Sequence, residues 1–209
     1  MIMKNILLIV MMGIGLISYS QSSIDWGEYE KSKISKVCAN AKWQTTQNVT
    51  YDGSYRIIDY PWGDVPENIG VCTDVIIRAF RAVGIDLQEH VHKSVVKNHK
   101  YYYPKPKPGY GLKPDANIDH RRVKILHKYF KLHFPEAELG LYDTWMPGDV
   151  IIWQDWHIGI LIDEKVEDTD RYYCVHNMGL GPVKEDLYYD VIVPSEYNIK
   201  VFRVLKFYL

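Results

Sequence analysis

What this sequence lacks most plainly is charge of one sign. Its 25 lysines and arginines stand against 26 aspartates and glutamates, a formal net charge of -1. Such a balance creates no general attraction to nucleic acid, and no nucleic-acid partner is expected. Long apolar runs are also missing: the stretch from Ile6 to Ile17 is too short to cross a bilayer. Neither an H-E-x-x-H helix nor a paired C-x-x-C occurs, so the usual zinc signatures are absent and no metal is expected. There is no internal repeat and no low-complexity tract. Cysteine is scarce and odd in number: Cys38, Cys72 and Cys174, so at least one is unpaired within the chain.

What is present begins with "MIMKNILLIVMMGIGLISYSQSS". A lysine at position 4, the short apolar run, and the small residues Ser18 and Ser20 form the pattern of a signal peptide over residues 1–20. Cleavage is expected near Ser20–Gln21, giving a periplasmic or secreted chain with no stable membrane insertion. An oxidising compartment permits one disulfide, Cys38 with Cys174 if Cys72 is the reactive thiol; three free, buried cysteines is the other reading. The remaining 21–209, in a chain that is 47% hydrophobic, suffices for one core and a single domain.

Helical signals come first. One covers Asp25 to about Gln47, with Ile34, Val37, Cys38 and Ala41 on one face. "GVCTDVIIRAFRAVG" repeats its apolar residues at helical spacing and can end at Gly84. A third helix runs from the N-cap candidate Asp86 to about His99, and a fourth from about His120 to Phe134. The proline-rich "YYYPKPKPGYGLKP" is an extended surface loop. Strand signals follow: "GDVIIW", "HIGILI", "RYYCVHN", "YYDVIV" and "IKVFRVLKF". Helices followed by an antiparallel sheet describe an α+β domain.

Three positions could carry chemistry. Cys72 opens a helix, where backbone N–H groups and the peptide dipoles favour a thiolate and can meet an oxyanion; it could equally be a small core residue. His157 stands at the mouth of an apolar strand, where a base could reach a cleft, or where a turn histidine would simply be exposed. His176 and Asn177 lie on the next strand on opposite faces, and either could orient His157. The same cysteine and histidines could form a zinc site if they converged, but the helix-start position favours a nucleophile.

Other polar groups have two readings each. Asp74 can cap its helix or hold a neighbouring loop. Arg121 and Arg122 can fork onto a substrate carboxylate or pair with surface acids. "HVH", His90 and His92, points in different directions on a helix. Trp62 in "YPWGD" and Trp156 in "QDW" are aromatic surfaces for a peptide or a sugar.

The order helix-borne "VCTDVIIRAFRAVGIDL", then "MPGDVIIW", "HIGILI" and "VHN" resembles the papain-like superfamily, and more closely its NlpC-type and CHAP-type cell-wall peptidases and amidases. A longer likeness, through "YPWGDVPENIGVCTDVIIRAFRAVGIDLQ", "PDANIDHRRV" and "VHNMGLGPVKED", is to the bacterial domain-of-unknown-function family numbered 1287. The resemblance implies a papain-like fold and a thiol hydrolase without cofactor, acting on an amide bond in peptidoglycan or another peptide. Cys72 would then be nucleophile, His157 base, and His176 or Asn177 the orienting residue. The connection around "DEKVEDTD" is longer than the NlpC pattern, which bears most on that third residue. A non-catalytic module that grips wall peptide or glycan is the alternative.

Overall fold

The computed structural model describes residues 26–104, 113–140, 143–187 and 198–208. The signal-peptide reading, the tip of the proline-rich loop and the "YYDVIV" strand fall outside these residues. Helix α1 spans Trp26–Gln44, β1 Thr50–Tyr51, β2 Ile69–Gly70 and α2 Cys72–Arg81. Next come α3 (Leu87–Lys97), α4 (His99–Tyr102), a 3-10 turn (Asp119–Arg121) and α5 (Val123–His133). The strands are β3 (Glu138–Leu139), β4 (Val150–Trp153), β5 (His157–Lys165), β6 (Tyr172–Asn177), β7 (Pro182–Glu185) and β8 (Ile199–Phe202), before a final turn α6 (Leu205–Tyr208).

Strands β3 to β8 form one sheet in the order β3-β8-β4-β5-β6-β7, every adjacent pair antiparallel. The α+β architecture read from the sequence is therefore present. Ile158, Ile160 and Ile162 face the helices, where they join Val37, Cys38, Ile76 and Phe80 in the main core. A smaller cluster, with Ile151, Trp153, Leu161 and Cys174, covers the other face. Both faces being buried explains why β4 and the start of β5 read as continuous apolar runs rather than alternating ones.

Several expected elements are trimmed. Helix α1 stops at Gln44, because Thr45, Thr46 and Gln47 close a turn onto the carbonyls of Lys42, Trp43 and Gln44. The third expected helix breaks at Asn98 and restarts as α4. Of "IKVFRVLKF" only the first four residues are strand, and the last part folds as α6. Asp86 does cap α3, its carboxylate accepting the Gln88 N–H at 3.2 Å. All three cysteines are free and buried. Cys38 lies in the helix-side core and Cys174 in the cluster across the sheet, so the sheet separates the two sulfurs of the disulfide that the sequence allowed. Among the described residues no helix is long and apolar enough to cross a membrane.

Candidate active site

Helix α2 begins at Cys72 because its N-terminus is bolted from three directions. Val71 has no side-chain acceptor, so Asp74 reaches back and takes the Val71 N–H at 2.7 Å. The same carboxylate is gripped by both Arg121 nitrogens at 2.8 Å. Thr73 donates to the Arg121 carbonyl at 3.0 Å. Asp74 and Arg121 are thus engaged with each other, with side-chain exposure of 3% and 2%. A bidentate pair with this geometry satisfies both charges and locks the helix start to the 3-10 turn. Arg122 keeps an exposed edge while donating to the Tyr103 hydroxyl and to Asp119.

Cys72 is only 4% exposed. The Ile158 backbone N–H and the Tyr51 hydroxyl both approach its sulfur. Burial pushes the thiol up to about 11, although the N–H groups of Ile158, Thr73 and Cys72 itself pull the other way. The lowered pKa expected of a helix-start cysteine is therefore not what the resting structure has. Desolvation outweighs the dipole, and the neighbouring Asp74 carboxylate adds to it. Tyr51 is raised for the same reason, burial first and the thiol second.

His157 is the first residue of β5, opposite Trp153. Its ring packs 4.4 Å from the Trp153 ring and 5.3 Å from that of Trp156, and stands nearly perpendicular to His176. Nε2 of His157 meets Nδ1 of His176 at 3.1 Å, and Nε2 of His176 meets a Glu185 carboxylate oxygen at 3.1 Å. A carboxylate only accepts, so His176 Nε2 carries the proton. His176 Nδ1 is then the acceptor, His157 Nε2 the donor, and His157 Nδ1 is left with the lone pair. Burial, with His176 second, lowers His157 to about 3. Burial also lowers His176, against the pull of Glu185. Both rings are neutral at physiological pH.

Gly159 makes the histidine pair possible. A Cβ there would lie 2.5 Å from the Cys174 sulfur and 3.2 Å from the His176 Cβ. Asn177 does not share in it: its amide donates to the Gly70 carbonyl at 3.4 Å and its oxygen accepts the Gly179 N–H at 3.1 Å. Asn177 ties β6 to the residues just before Cys72, whereas His176 holds His157.

Sulfur and imidazole sit on either side of the first residues of β5. Ile158 presents its N–H to Cys72, while His157 packs with Trp153 on the opposite face. Among the described residues no hydrogen bond joins the Cys72 sulfur to His157. No group of three or more histidines, cysteines or acids among them is arranged to hold a metal ion. A cleft of about 370 Å³ opens beside the helix start, lined by Tyr51, Tyr55, Val71 and Arg122 among others. Trp156 is half-exposed at the rim of His157. Trp62 donates its backbone N–H to Asp86 at 2.8 Å, at the start of α3, and its ring stays half-exposed.

Sequence reading missed Tyr51 and Glu185. Glu185 had a signal: after the "NMGLG" turn, "PVKE" is a returning strand, and Glu185 falls on the same face as Val183, the partner of His176. Tyr51 had none, since only the short parallel pairing of β1 with β2 brings it to Cys72.

Fold and site together describe an α+β protein with a buried helix-start thiol beside a strand-borne pair of histidines. The chain belongs to the family described as Domain of unknown function (DUF1287), whose profile matches residues 38–199. It is 35% identical over 167 residues to "Uncharacterized protein YijF" of Escherichia coli (strain K12), covering 78% of this chain and 80% of that protein. No solved structure matches.

Proposed function

We propose that this protein is an exported thiol hydrolase of the papain-like, NlpC type, cleaving an amide bond in peptidoglycan peptide. The observation that carries the reading is the ordered line from Glu185 through His176 to His157, which leaves one imidazole lone pair a single backbone residue from the Ile158 N–H that faces the Cys72 sulfur. Resting thiol and resting imidazole are both neutral, so the reaction proceeds by general base catalysis rather than from a preformed ion pair. For this the His157 ring, which packs with Trp153 across β5 from the sulfur, must come round the start of the strand; its Nδ1 then takes the thiol proton as the sulfur leaves the Ile158 N–H for the substrate carbonyl. The carbonyl oxygen becomes an oxyanion that the Cys72 backbone N–H meets. His157 returns the proton to the departing amine, leaving a thioester. Water, deprotonated by the same ring, releases the acid and regenerates the thiol.

Replacing Cys72 by Ala tests this on purified peptidoglycan, with released peptides identified by mass spectrometry. Release should cease while the melting temperature holds. Undiminished release by the folded variant rejects the mechanism.

One feature favours a second reading, a non-catalytic module that binds wall peptide: the Cys72 thiol is nearly sealed and its pKa lies above that of a free thiol. A protein that binds wall peptide in sedimentation assays and releases none would have that role.

A further inference from the structure

A groove of about 360 Å³ lies where the end of α1 meets the β1–β2 ribbon, away from both histidines. Its walls include Asn40, Trp43, Gln47, Asn48, Glu67 and Asn68. Trp43 is 54% exposed, so a large apolar ring on the helix surface faces solvent. The side-chain amides of Asn48 and Asn68 and the Glu67 carboxylate have no hydrogen-bond partner among the described residues. Polar groups converging on an exposed aromatic, in a cavity of this size, are the makings of a small-ligand site.

Charge narrows the ligand. Two arginines border the groove; both hold neighbouring acids or carbonyls, although the buried Arg81 Nε has no partner among the described residues. Arg78 holds Asp64 at 2.9 Å and donates to the carbonyls of Val65, Pro66 and Ile69. Arg81 donates to the Gly63 carbonyl at 2.7 Å and to Asp86 at 3.2 Å. Glu67 is left as an acid with no cation paired to it. The lining sets Arg78 and Arg81 against Asp64 and Glu67, so its charges balance and favour neither an anion nor a cation. A neutral ligand with one apolar face and a rim of hydroxyl and amide groups would be matched on every side. The apolar face of a pyranose ring lies flat on an indole, and planar amides pair in both directions with hydroxyls and with an acetamido group.

We propose that the Trp43 groove binds a neutral, N-acetylated saccharide. Asn68 leads through Ile69, Gly70 and Val71 to Cys72, and Asn48 leads through Val49 and Thr50 to Tyr51. Four extended residues span about 13 Å. A saccharide in the groove therefore lies one peptide's reach from the thiol, as the glycan of a cell wall lies from its own peptide stems. The binding itself does not depend on the hydrolase reading; only the meaning of that short distance does.

The test is titration of the Cys72→Ala chain, labelled with nitrogen-15, with the trimer of N-acetylglucosamine, following by NMR the Trp43 indole N–H and, in every variant, the backbone N–H groups of Asn48 and Gln47. Removing Cys72 keeps turnover out of the readout, so failure of the hydrolase reading leaves this experiment unaffected. A saturable shift is expected, weakened at least about tenfold by Trp43→Ala and by several-fold in Asn68→Ala. Both residues are exposed, and a melting temperature confirms that each variant folds. Maltotriose, which lacks the acetamido groups, should bind more weakly. The proposal is overturned if the trimer produces no saturable shift, if Trp43→Ala binds it undiminished, or if a wall dipeptide moves the Trp43 signal and the saccharide does not.

Discussion

Two polar chains, buried except at Glu185, meet the starts of α2 and β5, and they differ in how much of their hydrogen-bonding capacity is used. In the first, Asp74, Arg121 and Thr73 close on one another and on the backbone, and both charges are paired. In the second, Glu185, His176 and His157 run in one direction and stop at an open nitrogen. Removing a charge from the closed chain should destabilise the fold; disturbing the open one should change its chemistry first. Burial alone does not separate the two, since His157 is as hidden as Asp74.

The sharpest way to break the comparison is Arg121→Ala. It strands the Asp74 carboxylate in the core, and a loss of about 3–5 kcal/mol is expected in urea unfolding. A loss below about 1 kcal/mol would mean that the pair is no clamp.

Acid should act on the other chain, and also on His120 beside Arg121, which burial lowers to about 3. The folded His157 titrates near 3, far below its ordinary 6.5, and His176 is lowered as well. A depressed histidine contributes stability that is complete above 6.5 and is lost as the pH falls from there toward 3. The His157 ring removes up to about 1.4 kcal/mol per pH unit in that window. Melting temperature should fall from pH 7 to 4, and less steeply in His157→Gln.

Gly159→Ala would press a methyl against the Cys174 sulfur and the His176 Cβ. Overpacking of this kind costs about 1–3 kcal/mol, with hydrolysis falling further than stability because His176 is the group displaced. The smallest effect belongs to Glu185→Gln, at a half-exposed position. A glutamine can donate as well as accept, so the proton order along the rings is no longer imposed. A drop in hydrolysis of about tenfold is expected, with stability unchanged and the pH profile shifted. An unaltered profile would make Glu185 a surface acid only.

Much of the scaffold was legible in the residues. The apolar spacing from Val71 to Val83 marked α2, and β-branched runs marked β4 and β5. Within "PDANIDHRRV", Asn117 accepts the Ile58 N–H at 3.0 Å and Asp119 accepts that of Asp115 at 2.7 Å. Those long motifs are thus largely staples between loops, and their specificity reports the family more than the chemistry. Three things could not be read locally. The break at Asn98 and the turn to helix at Leu205 depend on tertiary packing, where propensity is weak. The raised Cys72 thiol depends on what covers it, and the dipole at a helix start says nothing of that cover. The placing of His157 and Ile158 on opposite faces follows from strand alternation, yet which face meets α2 is set by the whole sheet.

The most direct test of the central claim is the rate at which iodoacetamide modifies Cys72 at neutral pH, followed by mass spectrometry in the native chain and in His157→Ala. If the ring serves the sulfur, Cys72 reacts measurably in the native chain and several-fold more slowly without the histidine, while buried Cys38 and Cys174 stay unmodified in both. Equal rates at Cys72 with and without His157 would show that the two groups do not work together.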